Sequence, residues 1–452
     1  MTRPTRGAPG GRRAGTIALI SLGCAKNLVD SEVMLGTLKR AGYSIAGRAE
    51  DAGVIIVNTC GFIGPAREEA ERTLRQVLDL KRRDPAKMIV AAGCYVERDR
   101  RRLERSFPGI DAWTGVRDFD RIADVIEGRA GRSRERTFLY SDASPRLVST
   151  PGAWAYVKIS EGCSHRCGFC AIPLIKGPYV SRPAASIVRE VRTLAGLGVK
   201  EVDLVSHDTT WFGRDRGVRN GLASLLERLG RVEGVEWIRY LYGYPEEIDD
   251  RLLEAMTGPR ICRYLDIPFQ HADPGLVKAM RRGMDGERAL RLLDRIRTRL
   301  PDAVLRTSLI VGFPGEGRGE FAALRRFVEA ARFDHLGVFA YSPEAGTPAC
   351  RLRETVTAGE KEERRREIMK LQAGISGRAN ARWVGRTIDV LVEGPDPETA
   401  GLWTGRGRFQ APEVDGIVRF SLAAGRAEPP AAIVRVVVDS AGAYDLAGRQ
   451  VR

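Results

Sequence analysis

Residues 154–170 read Trp154-Ala155-Tyr156-Val157-Lys158-Ile159-Ser160-Glu161-Gly162-Cys163-Ser164-His165-Arg166-Cys167-Gly168-Phe169-Cys170. A largely apolar run passes directly into a loop holding three cysteines at C-x3-C-x2-C spacing. Such a run suits a strand buried on both faces, as in a parallel sheet. Downstream, further strand-like runs at Glu201–Val205, Trp237–Tyr242, Tyr264–Ile267, Val304–Val311 and Leu336–Tyr341 alternate with helical patterns such as Ala184–Leu197 and Arg288–Leu300. With Ala155–Ile159 these make six βα units and predict a complete or partial β/α barrel of TIM type. Chemistry in such a barrel sits at the C-terminal ends of the strands, which is where the cysteine loop falls.

Upstream, the same alternation predicts a separate α/β domain. Thr16–Leu22, Val54–Val57 and Met88–Ala92 are continuous apolar runs, with helical patterns through Leu38 and over Pro65–Lys81. Each run ends at a cysteine: Gly23-Cys24, Asn58-Thr59-Cys60 and Gly93-Cys94. In a parallel sheet the three C-terminal ends share one edge, so thiols distant in sequence converge there. Residues 133–152, with Pro145 and Pro151, predict a linker. A charged helical stretch from Glu360 to Arg382 predicts a helical connector over 357–384. From Gly385 onward, β-branched runs at Thr387–Val392, Gly416–Phe420 and Ile433–Val438 separated by Gly and Pro turns predict a small all-β barrel over 385–452. The plan is therefore α/β, with a disordered basic tail at 1–14, an α/β domain at 15–132 and a β/α barrel at 153–356 ahead of those last two segments.

At 452 residues the chain is long enough for about three domains, each with its own core. No apolar run approaches the ~20 residues needed to cross a bilayer, which predicts a soluble protein without a membrane partner. Arg3, Arg6, Arg12 and Arg13 ahead of Thr16–Leu22 and Gly23-Cys24 resemble a short lipoprotein signal. That apolar run only reaches the lower limit of about 7 residues for an export signal and continues into an amphipathic pattern. A buried strand and a cytoplasmic location are the expected outcome. In a reducing compartment the eight cysteines are expected to serve as metal ligands or reactive thiols rather than disulfides. The net charge of +15 suits an acidic partner such as nucleic acid or a ribonucleoprotein, although it equally suits solvated basic helices. Residues 385–452 depart from this balance, with eight arginines against nine carboxylates.

Three closely spaced thiolates can ligate three irons of a four-iron cluster and leave the fourth iron open. Structural zinc wants four closed ligands, and His165 could complete such a set only by reaching back within its own loop. The loop resembles the signature of the radical S-adenosylmethionine superfamily. That resemblance implies a 4Fe-4S cluster on Cys163, Cys167 and Cys170 whose open iron holds the methionyl amine and carboxylate of S-adenosylmethionine. It also implies reductive cleavage of that molecule to a 5′-deoxyadenosyl radical that abstracts hydrogen. Gly312-Phe313-Pro314-Gly315-Glu316 is similar to a cofactor-contacting turn of that superfamily, and fits an ordinary glycine turn equally well. Ser206, Asp208 and Gln270-His271 stand at strand ends, where polar groups meet ligands or make structural hydrogen bonds.

Ser21-Leu22-Gly23-Cys24-Ala25-Lys26-Asn27, Asn58-Thr59-Cys60-Gly61-Phe62-Ile63 and Ala92-Gly93-Cys94 resemble the N-terminal domain of the radical methylthiotransferases. The resemblance implies a second 4Fe-4S cluster on Cys24, Cys60 and Cys94, at whose open iron the transferred sulfur is carried. Cys262 and Cys350 match no such pattern and are expected to be inert. The C-terminal β segment resembles a TRAM domain, so the likeness extends over nearly the whole chain and implies a transferase. One branch of the family modifies an adenosine of transfer RNA. The other, the RimO type, places a methylthio group on the β-carbon of an aspartate in ribosomal protein S12. Residues 159–167, Asp266–Ala272 and Gln410–Gly416 are similar to the ribosomal branch, and the acidic balance of the β domain suits a basic protein substrate. Tyr341–Ala349 resembles the transfer-RNA branch at least as closely. The expected partners are ribosomal protein S12, an electron donor of the ferredoxin or flavodoxin kind, and a sulfur source. The alternatives are a transfer-RNA methylthiotransferase and a non-enzymatic iron–sulfur electron relay.

Overall fold

The computed structural model describes residues 15–131, 137–423, 425–426, 428–429 and 431–451; the basic tail expected at 1–14 lies outside the described residues, as do positions 132–136 of the chain between the first two domains. The chain forms two compact units, Met1–Val148 and Ser149–Arg452.

The first unit contains β1 (Thr16–Ser21), α1 (Ala25–Arg40), β2 (Ser44–Ile45), β3 (Val54–Thr59), α2 (Gly64–Arg83), β4 (Met88–Gly93), α3 (Cys94–Ser106), β5 (Ala112–Thr114) and α4 (Ile122–Ile126). Its five strands form one parallel sheet in the order β2-β1-β3-β4-β5. The uninterrupted apolar strands follow from burial on both faces. Ile55 and Val57 face Leu74, Val77 and Tyr95 from α2 and α3. Ile56 and Val90 face Met34, Leu38 and Ile122 from α1 and α4. Part of the expected linker folds back on α1: a side chain at Gly36 would stand 2.5 Å from Arg146 N, and Arg146 Nη2 donates to Glu32 Oε2 at 2.6 Å in a nearly dry setting.

The second unit opens with β6 (Trp154–Lys158), β7 (Ser160–Glu161), α5 (Ile172–Lys176), β8 (Val180–Ser181), α6 (Ala184–Gly196), β9 (Glu201–Val205), α7 (Gly221–Leu229) and β10 (Trp237–Tyr240). It continues through α8 (Asp250–Ala255), β11 (Tyr264–Asp266), α9 (Pro274–Ala279), α10 (Gly286–Arg299), β12 (Val304–Val311), α11 (Arg318–Ala331), β13 (His335–Ala340) and α12 (Ala358–Asn380). Parallel sheets β10-β9-β6 and β11-β12-β13, joined by the bridge Ile238–Ile261, give a six-stranded partial barrel. The chain ends in β14 (Thr387–Pro395), β15 (Leu402–Gly407), β16 (Val418–Ser421), β17 (Ile433–Ala441) and β18 (Leu446–Gln450), which close into a five-stranded barrel.

Many β/α barrels fill their centre with branched aliphatic side chains. Here the N-terminal halves of the strands contribute charged and phenolic groups, and the small β barrel completes them. Arg239 on β10 binds Glu201 at 2.8 Å and Asp203 at 3.1 Å, both on β9, while Arg406 from β15 reaches Glu201 at 2.6 Å and also pairs with Glu393. The segment after β15 adds Glu413, which accepts from Tyr156 at 3.0 Å, and Asp415, which accepts from Tyr264 at 2.6 Å and faces Arg306 and His335. Arg239 Nη1 and His335 Nε2 meet the carbonyls of Arg408 and Phe409 at 3.0 Å. Residues 406–415 thus seal the barrel end opposite the cysteine loop. Burial, reinforced by the charge of Glu201, pushes Asp203 well above the usual carboxylate range. Glu201 is shifted the other way: burial opposes its ionisation, but Arg406 and Arg239 hold its carboxyl below the usual range, so of the two carboxyls Asp203 is the easier to protonate.

Removing one member of a buried ion pair typically costs about 3–5 kcal/mol. Arg406→Met is therefore expected to lower the chemical-denaturation stability of the full chain by about that amount. Asp203→Asn, a neutral isostere, is expected to change it by less than about 1 kcal/mol. Equal losses in the two variants would disprove this ranking of the two carboxyls.

Candidate functional site

In the first unit three strand ends present the three cysteines. Cys24 is the residue before α1, Cys60 follows β3, and Cys94 opens α3. Two close approaches bring their loops together. A Cβ on Gly23 would stand 2.7 Å from Cys60 Cβ and 3.0 Å from its Sγ, and one on Gly61 would stand 2.6 Å from Tyr95 Cα and 3.1 Å from the Cys94 carbonyl carbon. A buried polar set fixes these turns. Asn27 Nδ2 donates to Leu22 O at 2.6 Å, Asn58 Nδ2 to Asn27 O at 3.0 Å and to Ser31 Oγ at 2.8 Å, and Thr59 Oγ1 to Ala92 O at 2.6 Å. Asn27, Ser31 and Asn58 lay inside or beside the quoted motifs, but their hydrogen-bonding role was not legible from spacing.

In the second unit the cysteine loop leaves the C-terminal end of β6 and is pinned along its length. Gly162, at φ +73°, has no room for a side chain, since a Cβ would lie 2.1 Å from Pro178 O. Cys163 N donates to Gly177 O at 3.1 Å, Gly168 N to Met280 O at 2.8 Å, and Ala349 N to Gly168 O at 2.8 Å. Beneath the loop, buried Glu161 binds Lys158 at 2.7 Å and lies 3.5 Å from Lys176 and 3.8 Å from His207 Nδ1. Burial opposes its ionisation, yet the two lysines and the histidine outweigh burial and hold the carboxyl far below its usual range. His165 Nε2 meets Asp208 Oδ2 at 2.5 Å, and its ring stacks on Tyr244 with centroids 3.8 Å apart.

None of these six cysteines is in a disulfide. Burial pushes Cys60 and Cys163 up to about 11 and Cys170 up to about 12, with the neighbouring thiols adding to the shift. Metal binding must therefore displace protons. Among the described residues no three His, Cys, Asp or Glu side chains could hold a single metal ion. In a cubane each thiolate binds a different iron, so the ligands need not meet at one point. Three thiols per site, with His165 Nε2 engaged by Asp208, fit that cluster better than a closed zinc site.

The other expected site residues are placed as follows. Asp208 caps the turn after β9, accepting from Thr210 N at 3.0 Å and Trp211 N at 3.2 Å, and anchors His165. Ser206 Oγ lies 2.5 Å from Ser160 Oγ, just ahead of the loop. Phe313 is buried in the apolar cluster of Leu276, Met280, Ile310, Tyr341 and Ala349, against which Phe169 of the loop packs. Gly312 and Gly315 take φ +72° and +91°, and Gly312 N donates to Glu316 Oε2 at 2.8 Å. Glu316 in turn binds Arg364 of α12 at 2.8 Å. Gln270, at φ +72°, donates its backbone N–H to Ser308 O at 3.0 Å, and His271 Nε2 lies 3.4 Å from Glu316.

Three family models match successive parts of the chain. Residues 16–115 match Uncharacterized protein family UPF0004, 157–328 the Radical SAM superfamily, and 384–451 the TRAM domain. The ribosomal protein uS12 methylthiotransferase RimO of Trichlorobacter lovleyi is 43% identical over 442 residues, covering 96% of this chain and 98% of that protein. The chain belongs to the RimO methylthiotransferase family. Other RimO proteins are similarly close: that of Acetivibrio thermocellus is 43% identical, covering 96% and 98%, and that of Aquifex aeolicus is 42% identical, covering 96% of both chains. The solved radical S-adenosylmethionine methyltransferase TsrM of Kitasatospora setae shares the fold at 14% identity, with a TM-score of 0.54 over 87% of this chain and 78% of that one. No helix among the described residues is long and apolar enough to cross a membrane.

With this RimO-family cysteine arrangement, anaerobic reconstitution of the full chain is expected to load about eight irons, four per cluster. The triple variants Cys24→Ala/Cys60→Ala/Cys94→Ala and Cys163→Ala/Cys167→Ala/Cys170→Ala are each expected to retain about four. A wild-type count near four, or bound zinc, would remove one of the two sites.

Proposed function

We propose that the chain transfers a methylthio group to the β-carbon of an aspartate in ribosomal protein uS12, with 4Fe-4S clusters on Cys24, Cys60 and Cys94 and on Cys163, Cys167 and Cys170. The observation that carries this reading is the pair of separate cysteine triplets, each at the C-terminal edge of its own parallel sheet, in a chain aligned almost end to end with RimO proteins. A single triplet would serve radical chemistry alone. When bound, S-adenosylmethionine supplies a radical able to take hydrogen from a carbon without a leaving group and a methyl group for the sulfur held at the other cluster.

The chain's own residues bind, orient and exclude. Glu161 with Lys158 and Lys176 fixes the start of the radical loop, and the His165–Asp208 contact ties its middle to the end of β9. Phe169, Phe313, Tyr341, Leu276 and Met280 wall one side with apolar surface, which keeps water from the reacting centre. In this reading Ser206, Asp208 and the Gly312-Phe313-Pro314-Gly315 turn line the S-adenosylmethionine site. Their positions at strand ends support that role, and the turn is fixed by the positive φ of its two glycines, Gly312 packing closely against the Lys361 side chain.

The RimO names of the relatives favour a protein substrate over transfer RNA. The charge argument is narrower than the sequence implied, because Glu393, Glu413 and Asp415 are spent on internal partners. A cytoplasmic location, a ferredoxin or flavodoxin donor and a separate sulfur source complete the proposal.

Reduced, reconstituted protein supplied with S-adenosylmethionine is expected to form 5′-deoxyadenosine and to thiomethylate uS12, and Cys163→Ala is expected to abolish both. Thiomethylation of transfer RNA but not of uS12 would overturn the substrate, and absence of 5′-deoxyadenosine would leave an electron relay.

A further inference from the structure

Arg282 follows α9 and carries no recognisable motif, yet its side chain turns onto the radical loop. Nη1 lies 3.6 Å from Cys167 Sγ as a hydrogen-bond donor, and Nη2 donates to Pro268 O at 2.7 Å. The guanidinium sits over the Tyr244 ring at 4.0 Å, and that ring is stacked at 3.8 Å on His165, which is itself held by Asp208. Trp211 meets the His165 ring edge-on at 5.2 Å. The neighbouring thiols are treated differently: Cys163 and Cys170 receive backbone amides, from His165 and Ile172. Cys167 thus faces a fixed positive charge held in one orientation.

Arginine stays charged at every accessible pH, and its flat fork can stack on a ring while donating in plane, which an ammonium group cannot do. A cationic donor on a thiolate ligand stabilises the cluster state with more negative charge, and hydrogen bonds to the sulfurs are among the factors that set cluster potentials. We propose that Arg282 is a positioning residue that raises the reduction potential of the radical cluster through its hydrogen bond to Cys167, with Tyr244 and His165 as the platform that holds it. The step it assists is uptake of one electron by the oxidised cluster, from dithionite in vitro or a ferredoxin- or flavodoxin-class protein. No bond at Arg282 forms or breaks and no proton moves. The inference rests on the assignment of a cluster to Cys163, Cys167 and Cys170.

The test uses the full chain carrying Cys24→Ala, Cys60→Ala and Cys94→Ala, so that only the radical cluster remains, and a potentiometric titration followed by electron paramagnetic resonance. Arg282→Met and Arg282→Gln are expected to lower the reduced-to-oxidised ratio at a fixed poise about tenfold, a fall of about 59 mV in midpoint for one electron. Arg282→Lys, which keeps the charge, is expected to fall less. Unchanged midpoints in iron-replete variants overturn the proposal, and so does loss of iron from every Arg282 variant, which would make the residue a scaffold. If the background chain itself binds no four-iron cluster, the cysteine assignment fails instead.

Discussion

Charges cannot be left unpaired in a dry interior, and that constraint governs the second unit. Glu201, Asp203, Arg239 and Arg306 project into the partial barrel, where aliphatic side chains would be the simpler filling. Such groups are tolerated only when each finds a partner. Arg406 and Asp415 supply the missing partners from the C-terminal β barrel, so that barrel completes the core of its neighbour. The Gln410–Gly416 segment, which in sequence resembled a branch of the family, here has a physical role, since its Pro412 carbonyl and the carboxylates of Glu413 and Asp415 accept hydrogen bonds from Tyr156 and Tyr264 of the sheet.

With that end closed by ion pairs, the opposite end is free to hold chemistry. The radical loop is gripped by main-chain bonds to Gly177, Met280 and Ala349. Its surroundings separate into two kinds. One side is apolar, with Phe169, Phe313 and Tyr341, and the other is polar and stacked, with Asp208, His165, Tyr244 and Arg282. A site that must host a radical and also accept an electron needs both: dry walls against quenching, and fixed charge near the metal ligands.

The first unit reaches a similar result by different means. Its sheet is packed with apolar side chains on both faces, and a set of buried polar groups gathers at the edge where the cysteines emerge. There Asn27, Asn58, Ser31 and Thr59 tie the three loops to one another, and Gly23 and Gly61 permit the contacts that bring Cys60 against its neighbours.

Strands at Val54–Val57 and Met88–Ala92 were legible in the sequence because burial on both faces demands unbroken apolar runs, and the cysteine triplets were legible because short spacing and strand ends constrain where thiols can go. Strands β15 and β18 were not, since Leu402–Gly407 and Leu446–Gln450 contain glycine and arginine and gain their pairing only when the barrel closes. The inward turn of Glu413 and Asp415 was equally hidden, because a charge count treats every carboxylate as exposed. So was Arg282, more than a hundred positions from Cys167, which the loop approaches only after the strands between them have assembled. The order of elements and the places of the two cysteine triplets follow from local periodicity and spacing, and can be read along the chain. Which charges are buried and which groups face the thiols depends on contacts between residues far apart in that chain, and those contacts exist only in the folded molecule.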